Sequence, residues 1–205
     1  GAQTYGLVVG TDKELSQTAL LGAAFSMNNS VVDSNSGMQS AKVDSALAVL
    51  YGSYSLNENT ELNWQADYGH NRNKGSRYIA FLGRIALADY TSTSLHFGAG
   101  LGRIIETSPR STFIPSLRAD YTSIRDNGYT ETGAGALNLP VNGKTSEEFI
   151  LAVDGKVAHE LSDSTTFTAN LGIGYDARAK QSSVTSSFAG GGAVFTTAGI
   201  HPSST

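Results

Sequence analysis

The chain has 205 residues, of which 40% are hydrophobic, 16% are charged and 23 are glycine, and its formal net charge at pH 7 is −4. This modest charge, without a basic run or an acidic tail, argues against nucleic acid as a partner, and the absence of cysteine excludes disulfides and thiolate metal sites. No apolar stretch approaches the roughly 20 residues of a transmembrane helix, which excludes a helical span but not a strand-built one.

Four short polar turns of similar composition recur along the chain, and each joins two segments in which apolar and polar residues alternate. They are residues 15–18, 56–60, 107–111 and 161–165. Longer connections rich in Ser, Asn and Gly lie between them, so we expect tight turns at one end of the molecule and long loops at the other. This asymmetry is typical of a membrane-spanning β-barrel.

Strict alternation of apolar and polar residues predicts strands rather than helices. It is unbroken from Thr166 to Arg178, which is longer than the usual ~5 to 6 residues of a soluble strand and compatible with the ~9 to 11 of a tilted transmembrane strand. Eight complete strands and the start of a ninth are predicted, near residues 5–12, 18–28, 43–56, 60–72, 93–105, 112–124, 147–161, 166–178 and from 193 onward.

The long connections are predicted near residues 29–42, 73–92, 125–146 and 179–192. Residues 78–81 and 85–87 are apolar enough to extend the strands on either side of the second connection. All-β barrels commonly run to this length as one unit, and we expect a single domain over residues 1–205.

A soluble β-sandwich would show the same alternation, so the period alone does not decide which solvent each face meets. Strand length, the alternation of short and long connections, and small residues on both faces favour the barrel. Five tyrosines toward the ends of apolar segments would form interfacial girdles, although tyrosine is also simply a good strand residue. They are Tyr51, Tyr54, Tyr68, Tyr121 and Tyr175.

The most specific motif is Tyr-Thr-Glu-Thr-Gly-Ala-Gly-Ala-Leu-Asn-Leu at residues 129–139. In this motif the chain resembles the translocator barrel of bacterial autotransporters, the proteins of type V secretion, whose barrels carry such a segment in a long loop. Supporting matches, in the family's order, are residues 20–25, 49–54, 115–121 and 187–190.

The resemblance implies an antiparallel up-and-down transmembrane β-barrel of about twelve strands in the outer membrane of a Gram-negative bacterium. Such a barrel anchors, and helps to export, an N-terminal passenger to the cell surface. The implied partners are outer-membrane lipid, the protein's own passenger and linker helix, and the barrel assembly machinery; no cofactor is implied.

The family's linker helix and closing strands have no match here, and the eight predicted strands correspond to its second through ninth. We therefore expect the first strand and the last two or three to be missing. Because a bilayer does not tolerate unpaired strand edges, the strands either belong to a larger barrel or close among themselves in a smaller one.

Alternation also assigns candidate side chains to the two faces. The candidates that would face the lumen are Glu61, Asp67, Arg118, Asp120, Asp154, Lys156, Asp176 and Arg178. The candidates that would face lipid are Leu62, Trp64, Leu95, Phe97, Leu101, Phe167, Leu171 and Ile173. A solvated sheet face is the plainer interpretation of the charged set.

Catalysis has little support in the sequence. His70 lies near Asp67 at a strand end, but the chain has neither a histidine pair at metal-ligand spacing nor a nucleophile motif such as Gly-x-Ser-x-Gly. We therefore expect no enzymatic activity and no metal site. The alternative to a translocator is a small non-transporting outer-membrane barrel whose long loops bind a surface partner.

Overall fold

A computed structural model describes residues 1–34, 38–178, 183–186 and 195–198, and antiparallel β-strands make up most of them. In chain order they are β1 Ala2–Ser16, β2 Ala19–Asp33, β3 Gln39–Asn57, β4 Thr60–Ile79, β5 Arg84–Arg103, β6 Ile105–Ser108, β7 Ser111–Asp126, β8 Tyr129–Thr130, β9 Pro140–Val141, β10 Lys144–Ser162, β11 Thr165–Asp176, β12 Ser183–Ser186 and β13 Phe195–Ala198. Two single-turn 3₁₀ helices, Ala80–Leu82 and Gly135–Leu137, accompany them. Among the described residues, no helix is long and apolar enough to cross a bilayer.

The main sheet joins strands that are neighbours in sequence, in the order β1-β2-β3-β4-β5-β7-β10-β11, with β6 paired to the start of β7. A smaller sheet has the order β13-β12-β9-β8. The main sheet is open: within the described residues, β1 pairs only with β2 and β11 only with β10. Closure of these strands among themselves into a smaller barrel is therefore not observed.

The eight predicted strands are confirmed in number and order. Seven of the observed strands are longer than predicted, whereas β11 ends earlier, at Asp176. The predicted connection at residues 73–92 is much shorter than expected, because β4 and β5 pair continuously up to Ile79 and Arg84. The expected extension of the two strands is confirmed for residues 78–79 and 85–87. Only residues 80–83 remain between them, and Gly83 adopts a left-handed φ of 60° to complete the turn. Of the predicted ninth strand from 193 onward, the structure describes only residues 195–198, which form β13 and pair with β12 in the smaller sheet. Residue 193 and most of the predicted connection at 179–192 lie outside the described residues.

Each of the four short turns is confirmed, and each is preceded by a β-bulge. The pairing register shifts between residues 14 and 16, 55 and 57, 106 and 108, and 160 and 162. A bulge places one extra, unpaired residue in its strand. In three of the turns this residue is the recurring leucine, Leu15, Leu56 or Leu161, and its side chain is exposed.

The main sheet has an apolar face and a polar face, because directly opposed residues point to the same side and successive residues to opposite sides. Leu95, Phe97 and Leu171 lie on the apolar face, and Leu171 is 83% exposed. Only Ile79, Ala86 and Ala134 form a buried apolar cluster in the described residues. The apolar face is thus not covered by protein, and an uncovered apolar surface of this extent marks a contact with another molecule or a membrane.

The polar face is crowded in places where glycine replaces a side chain. A Cβ atom on Gly22 would lie 2.3 Å from the ring of Tyr51, and one on Gly98 would lie 2.2 Å from Asp120 Oδ1. Tyr51 therefore does not belong to the apolar girdle predicted for it. Its hydroxyl donates to Asp12 on the polar face at 3.2 Å, because residue 51 has the opposite parity to Tyr54.

The packing of Trp64 gives a test of the register. A Cβ on Gly52, which is paired with Trp64, would lie 2.7 Å from the carbonyl oxygen of Leu20 and 3.0 Å from the indole. We expect Gly52→Val to displace the indole and to cost about 1 to 3 kcal/mol of stability through overpacking. Trp64 is the chain's only tryptophan, so its fluorescence emission spectrum reports the change.

The matched control is Gly102→Val. Atoms near a Cβ on Gly102 are at least 3.8 Å away, which is ordinary van der Waals contact, so we expect the spectrum of Trp64 to stay unchanged. Equal spectra and stabilities for the two variants would contradict the register of β3 against β4.

Candidate functional site

The polar face carries a linked set of charged side chains where β4, β5 and β7 lie side by side. Asp67 is directly opposite His96, and Asp120 is opposite Gly98 on the next strand. His96 Nδ1 lies 2.7 Å from Asp67 Oδ2, and His96 Nε2 lies 3.0 Å from Asp120 Oδ1. Arg118 then donates from Nε to Asp120 Oδ2 at 2.8 Å. We call these four residues the polar-face network.

The geometry of this network fixes the charge of its histidine. Both ring nitrogens of His96 face carboxylate oxygens, which only accept hydrogen bonds when ionised, so a ring that satisfies both partners carries two N–H groups. The imidazolium then alternates with Asp67, Asp120 and Arg118, and the four charges cancel. The side chains of Asp67 and His96 are only 10% and 21% exposed, which strengthens the pairing relative to surface ion pairs.

This arrangement leaves few side-chain groups of the network available to bind or react with another molecule. The histidine nitrogens and the carboxylates are engaged with each other, and Arg118 also donates to Asn63 Oδ1 at 3.2 Å. Across the residues that the structure describes, no group of three or more acidic or histidine side chains is arranged to hold a metal ion. The polar-face network therefore gives this face of the sheet a polar surface without net charge.

Most of the other predicted site residues follow the expected parity. Glu61, Asp154 and Lys156 share the face of the polar-face network by register, and Asp176 joins them at the end of β11. The eight candidates for lipid contact all lie on the opposite face: Leu62, Trp64, Leu95, Phe97, Leu101, Phe167, Leu171 and Ile173. Their contact with lipid stays a prediction.

Arg178 is the exception, and its predicted position on the lumen side is wrong. It follows the end of β11, where the alternation no longer applies, and its guanidinium pairs with Glu147. It also lies 5.9 Å from the ring centroid of Tyr121. Glu147 and Tyr121 are on the apolar-face side of the sheet, and the hydroxyl of Tyr121 donates to Glu147 at 2.7 Å.

Residues 127–143, which we call the capping loop, fold back onto the β4–β5 hairpin at the long-connection end. The backbone amide of Thr132 donates to the carbonyl of Leu87 at 2.9 Å, and that of Leu87 donates to Thr132 at 2.8 Å. Tyr129 stacks on Tyr90 with ring centroids 4.5 Å apart. Burial raises the pKa of both tyrosines, so the stacked pair is neutral at physiological pH.

A two-pronged ion pair holds the capping loop to β4. Arg77 Nη2 donates to Glu131 Oε2 at 2.6 Å and Arg77 Nε donates to Oε1 at 3.2 Å, and the Glu131 side chain is only 9% exposed. The hydrogen bond that Arg77 donates to Glu131 raises the pKa of Arg77. Glu131 Oε2 also accepts from the amide of Leu139 at 3.0 Å, so the carboxylate fastens both ends of the loop.

The Gly-Ala-Gly part of the motif has a steric explanation. Gly133 and Gly135 have φ values of 92° and 63°, which few other residues adopt. Between them, Ala134 is buried against Ile79 and Ala86, and its amide donates to Asn138 Oδ1 at 2.8 Å. The Gly-Ala-Gly segment therefore allows the capping loop to pack closely against the β4–β5 hairpin. The pairs His96–Asp67 and Arg77–Glu131 were not identified from sequence, because the first depends on strand register and the second on the docking of an irregular loop.

Alanine at Gly133 should release the capping loop. The substitution strains the backbone and places a Cβ 2.6 Å from the carbonyl oxygen of Ile85, next to the Leu87–Thr132 pair. We expect the backbone amides of Leu87 and Thr132 to exchange with solvent about 5- to 30-fold faster, as for a loss of roughly 1 to 2 kcal/mol. Hydrogen exchange followed by mass spectrometry measures the change.

Gly83→Ala is the matched control. Gly83 also has a positive φ, but a Cβ there would meet no atom within 4 Å. It introduces comparable backbone strain without the clash. Similar exchange at Leu87 and Thr132 in both variants would show that docking does not depend on the close approach at Gly133.

Comparison with known proteins agrees with this architecture. The family model "Autotransporter beta-domain" matches residues 1–205. Putative surface cell antigen sca2 of Rickettsia conorii is 26% identical over 158 residues, covering 76% of this chain and 8% of the relative. Outer membrane protein A of Rickettsia conorii is 29% identical over 182 residues, covering 78% of this chain and 8% of the relative.

Among solved structures, the translocator domain of the autotransporter NalP from Neisseria meningitidis aligns with a TM-score of 0.76 at 18% sequence identity. The alignment covers 90% of this chain and 68% of that one, and it supports the barrel fold. The chain spans only about a tenth or less of the length of the curated relatives. These relatives, the matched family and the fold place the chain in the bacterial outer membrane, and the chain belongs to the autotransporter β-domain family.

Proposed function

We propose that the chain acts as a translocator barrel that anchors an N-terminal passenger in the outer membrane and helps to export it. The observation that carries the proposal is the contrast between the two faces of the main sheet. One face presents exposed Leu, Phe and Tyr side chains along successive long strands, and the other presents an ordered set of charged and polar groups. A closed barrel needs this pattern to separate lipid from a water-filled lumen.

In this proposal the apolar face contacts the lipid tails. Leu171 and Ile173 are 83% and 67% exposed, and burying such surface in a hydrocarbon environment is favourable at about 25 cal/mol per Å². Strands of 12 to 20 residues are long enough for a tilted crossing of about 9 to 11 residues with the remainder projecting from the membrane.

The polar face would line the passage for the passenger and its linker helix. The polar-face network is balanced in charge, so a passing polypeptide of either charge would not be held strongly. Glycines beside the network leave the space that Asp120 and Arg118 occupy. We propose no catalytic step, because the acid and base groups of the network are bonded to one another.

Two further parts of the proposal concern assembly. Residues 1–205 would act as one domain, since the sequential ladder of the main sheet runs through eight strands without a break. The barrel assembly machinery would insert the strands, because open edges such as those of β1 and β11 are unfavourable in lipid until they are paired.

Arginine at Leu171 tests the lipid-facing side. A charge on the lipid face costs about 2 to 4 kcal/mol at the bilayer midplane, so we expect Leu171→Arg to lower the amount of folded protein in outer membranes. Heat-modifiable gel mobility of the membrane fraction measures this amount. Thr168→Arg, on the polar face of the same strand, is the control and should assemble normally. Normal assembly of Leu171→Arg would exclude lipid contact at this position.

Site-specific cross-linking tests the passage itself. Because this chain has no cysteine, Ser116→Cys places a single thiol on the polar face of β7, and Ala119→Cys places one on the apolar face. Each is combined, in the full-length protein, with a single cysteine in the passenger. We expect a transient disulfide to the passenger from position 116 only, during export.

The control for this experiment is passenger display, measured as cleavage by protease added outside the cells. A passenger that reaches the surface without ever cross-linking to position 116 would contradict a route along the polar face. Equal cross-linking from position 119 would contradict the assignment of the two faces.

A further inference from the structure

The apolar face of the main sheet changes character toward the long-connection end. Beyond Tyr68 on β4, the residues on this side are His70, Arg72 and Lys74, and all three are exposed. By register, Lys74 is directly opposite Lys42 on β3, and Thr93 links His70 to Arg125 on β7. We call Lys42, Arg72, Lys74 and Arg125 the basic row. It borders the apolar surface where a membrane headgroup region would begin.

The carboxylates on this part of the surface are fewer than the cations. Asp44 lies 3.7 Å from Lys42 Nζ and accepts from the amide of Asn29, and Asp89 pairs with Arg72 at 3.0 Å. Within the described part of the chain, Lys74 and Arg125 form no ion pair within 4 Å. Asp89 is directly opposite Lys74 on β5, but its carboxylate pairs with Arg72. Like charges directly opposite each other, such as Lys42 and Lys74, are unfavourable in a sheet, so an anion from outside the protein would relieve the repulsion.

A groove of about 610 Å³ leads to the basic row from the apolar side. It crosses β1 to β4, and its apolar lining includes Tyr5, Leu7, Met27 and Ala46. At the polar end it is lined by His70 and Arg72, together with Asp44, whose carboxylate is already engaged. The groove thus joins a surface suited to an acyl chain with a surface suited to an anionic group.

We propose that the groove and the basic row bind a membrane lipid with a phosphate headgroup. Its acyl chain lies along Leu7 and Met27, and its phosphate lies beside Lys42, Arg72 and Lys74. Lys and Arg side chains near a membrane surface attract anionic headgroups, and Arg can contact two phosphate oxygens at once. This inference rests on the lipid-facing assignment in the proposed function and adds a specific lipid class to it.

The test compares lipid preference at the two ends of the apolar face. The full-length protein is inserted in phosphatidylcholine nanodiscs with or without phosphatidylglycerol, and the temperature at which the heat-modifiable gel band is lost is measured. We expect phosphatidylglycerol to raise that temperature for the natural protein but not for Lys42→Gln/Lys74→Gln. Native mass spectrometry should show about 30-fold weaker retention of phosphatidylglycerol by this double variant, as for the loss of two surface cations at about 1 kcal/mol each.

The matched control is Lys13→Gln/Arg103→Gln, which removes two cations from the apolar-face side at the short-turn end. This variant should keep the full response to phosphatidylglycerol. A loss of response equal to that of Lys42→Gln/Lys74→Gln would overturn the site, because the effect would then follow net charge alone. An unchanged response of Lys42→Gln/Lys74→Gln would overturn it directly.

Inorganic phosphate distinguishes a lipid from a free anion. If phosphate in solution stabilises the protein in phosphatidylcholine nanodiscs as well as phosphatidylglycerol does, the proposal of a lipid site is wrong. Insertion of the natural protein without any preference for phosphatidylglycerol would refute this inference and leave the proposed function intact. Failure to insert into either nanodisc would refute the lipid-facing assignment itself, and this inference with it.

Discussion

The structure depends on one constraint: an extended sheet must satisfy its backbone hydrogen bonds while one of its faces remains uncovered by protein. The ladder from β1 to β11 satisfies the backbone, but the described residues contain only a three-residue buried apolar cluster. Water would be a poor solvent for the face that carries Leu95, Phe97 and Leu171. In the proposed function a membrane supplies the missing apolar surroundings, and the family assignment and the barrel fold support that proposal.

The polar interactions fall into two sets at different heights along the strands. At mid-height, His96 joins three neighbouring strands through carboxylates on both sides, which cross-braces the sheet where the hydrogen-bond ladder alone would let it bend. At the long-connection end, Arg77 and Glu131 fasten the capping loop. The first set sits on a repeating ladder, whereas the second depends on an irregular loop with its own small core. The rigidity of the main sheet and the docking of the capping loop therefore have different physical origins.

The sequence predicted the features that depend on local periodicity and failed where register or irregular backbone decides. Alternation placed all eight strands and the parity of residues such as Asp67 and Leu171, because a strand repeats every two residues. Tyr51 was misplaced because it was assigned by its position in a segment rather than by parity. Arg178 was misplaced because it lies beyond the end of its strand, where parity no longer applies. The contact of Arg77 with Glu131 joins residues 54 positions apart, and no local pattern encodes it. The motif that contains Glu131 was recognised, but its docking role required the positions of Ile85 and Leu87.

The difference between strand pairing in the main sheet and docking of the capping loop also has a consequence for the order of folding. From β1 to β7, and again from β10 to β11, each long strand pairs with the preceding long strand through a short connection, so each of these hairpins closes a small loop at low entropic cost. Only β10 reaches its partner β7 across the capping loop. Docking of the capping loop is different, since Arg77 must wait for a carboxylate that is synthesised after β5 and β7. Strand pairing can therefore proceed from one end of the chain while the outer opening is still uncapped. Docking of the capping loop is thus a step separate from the pairing of β1 to β7, with its own rate.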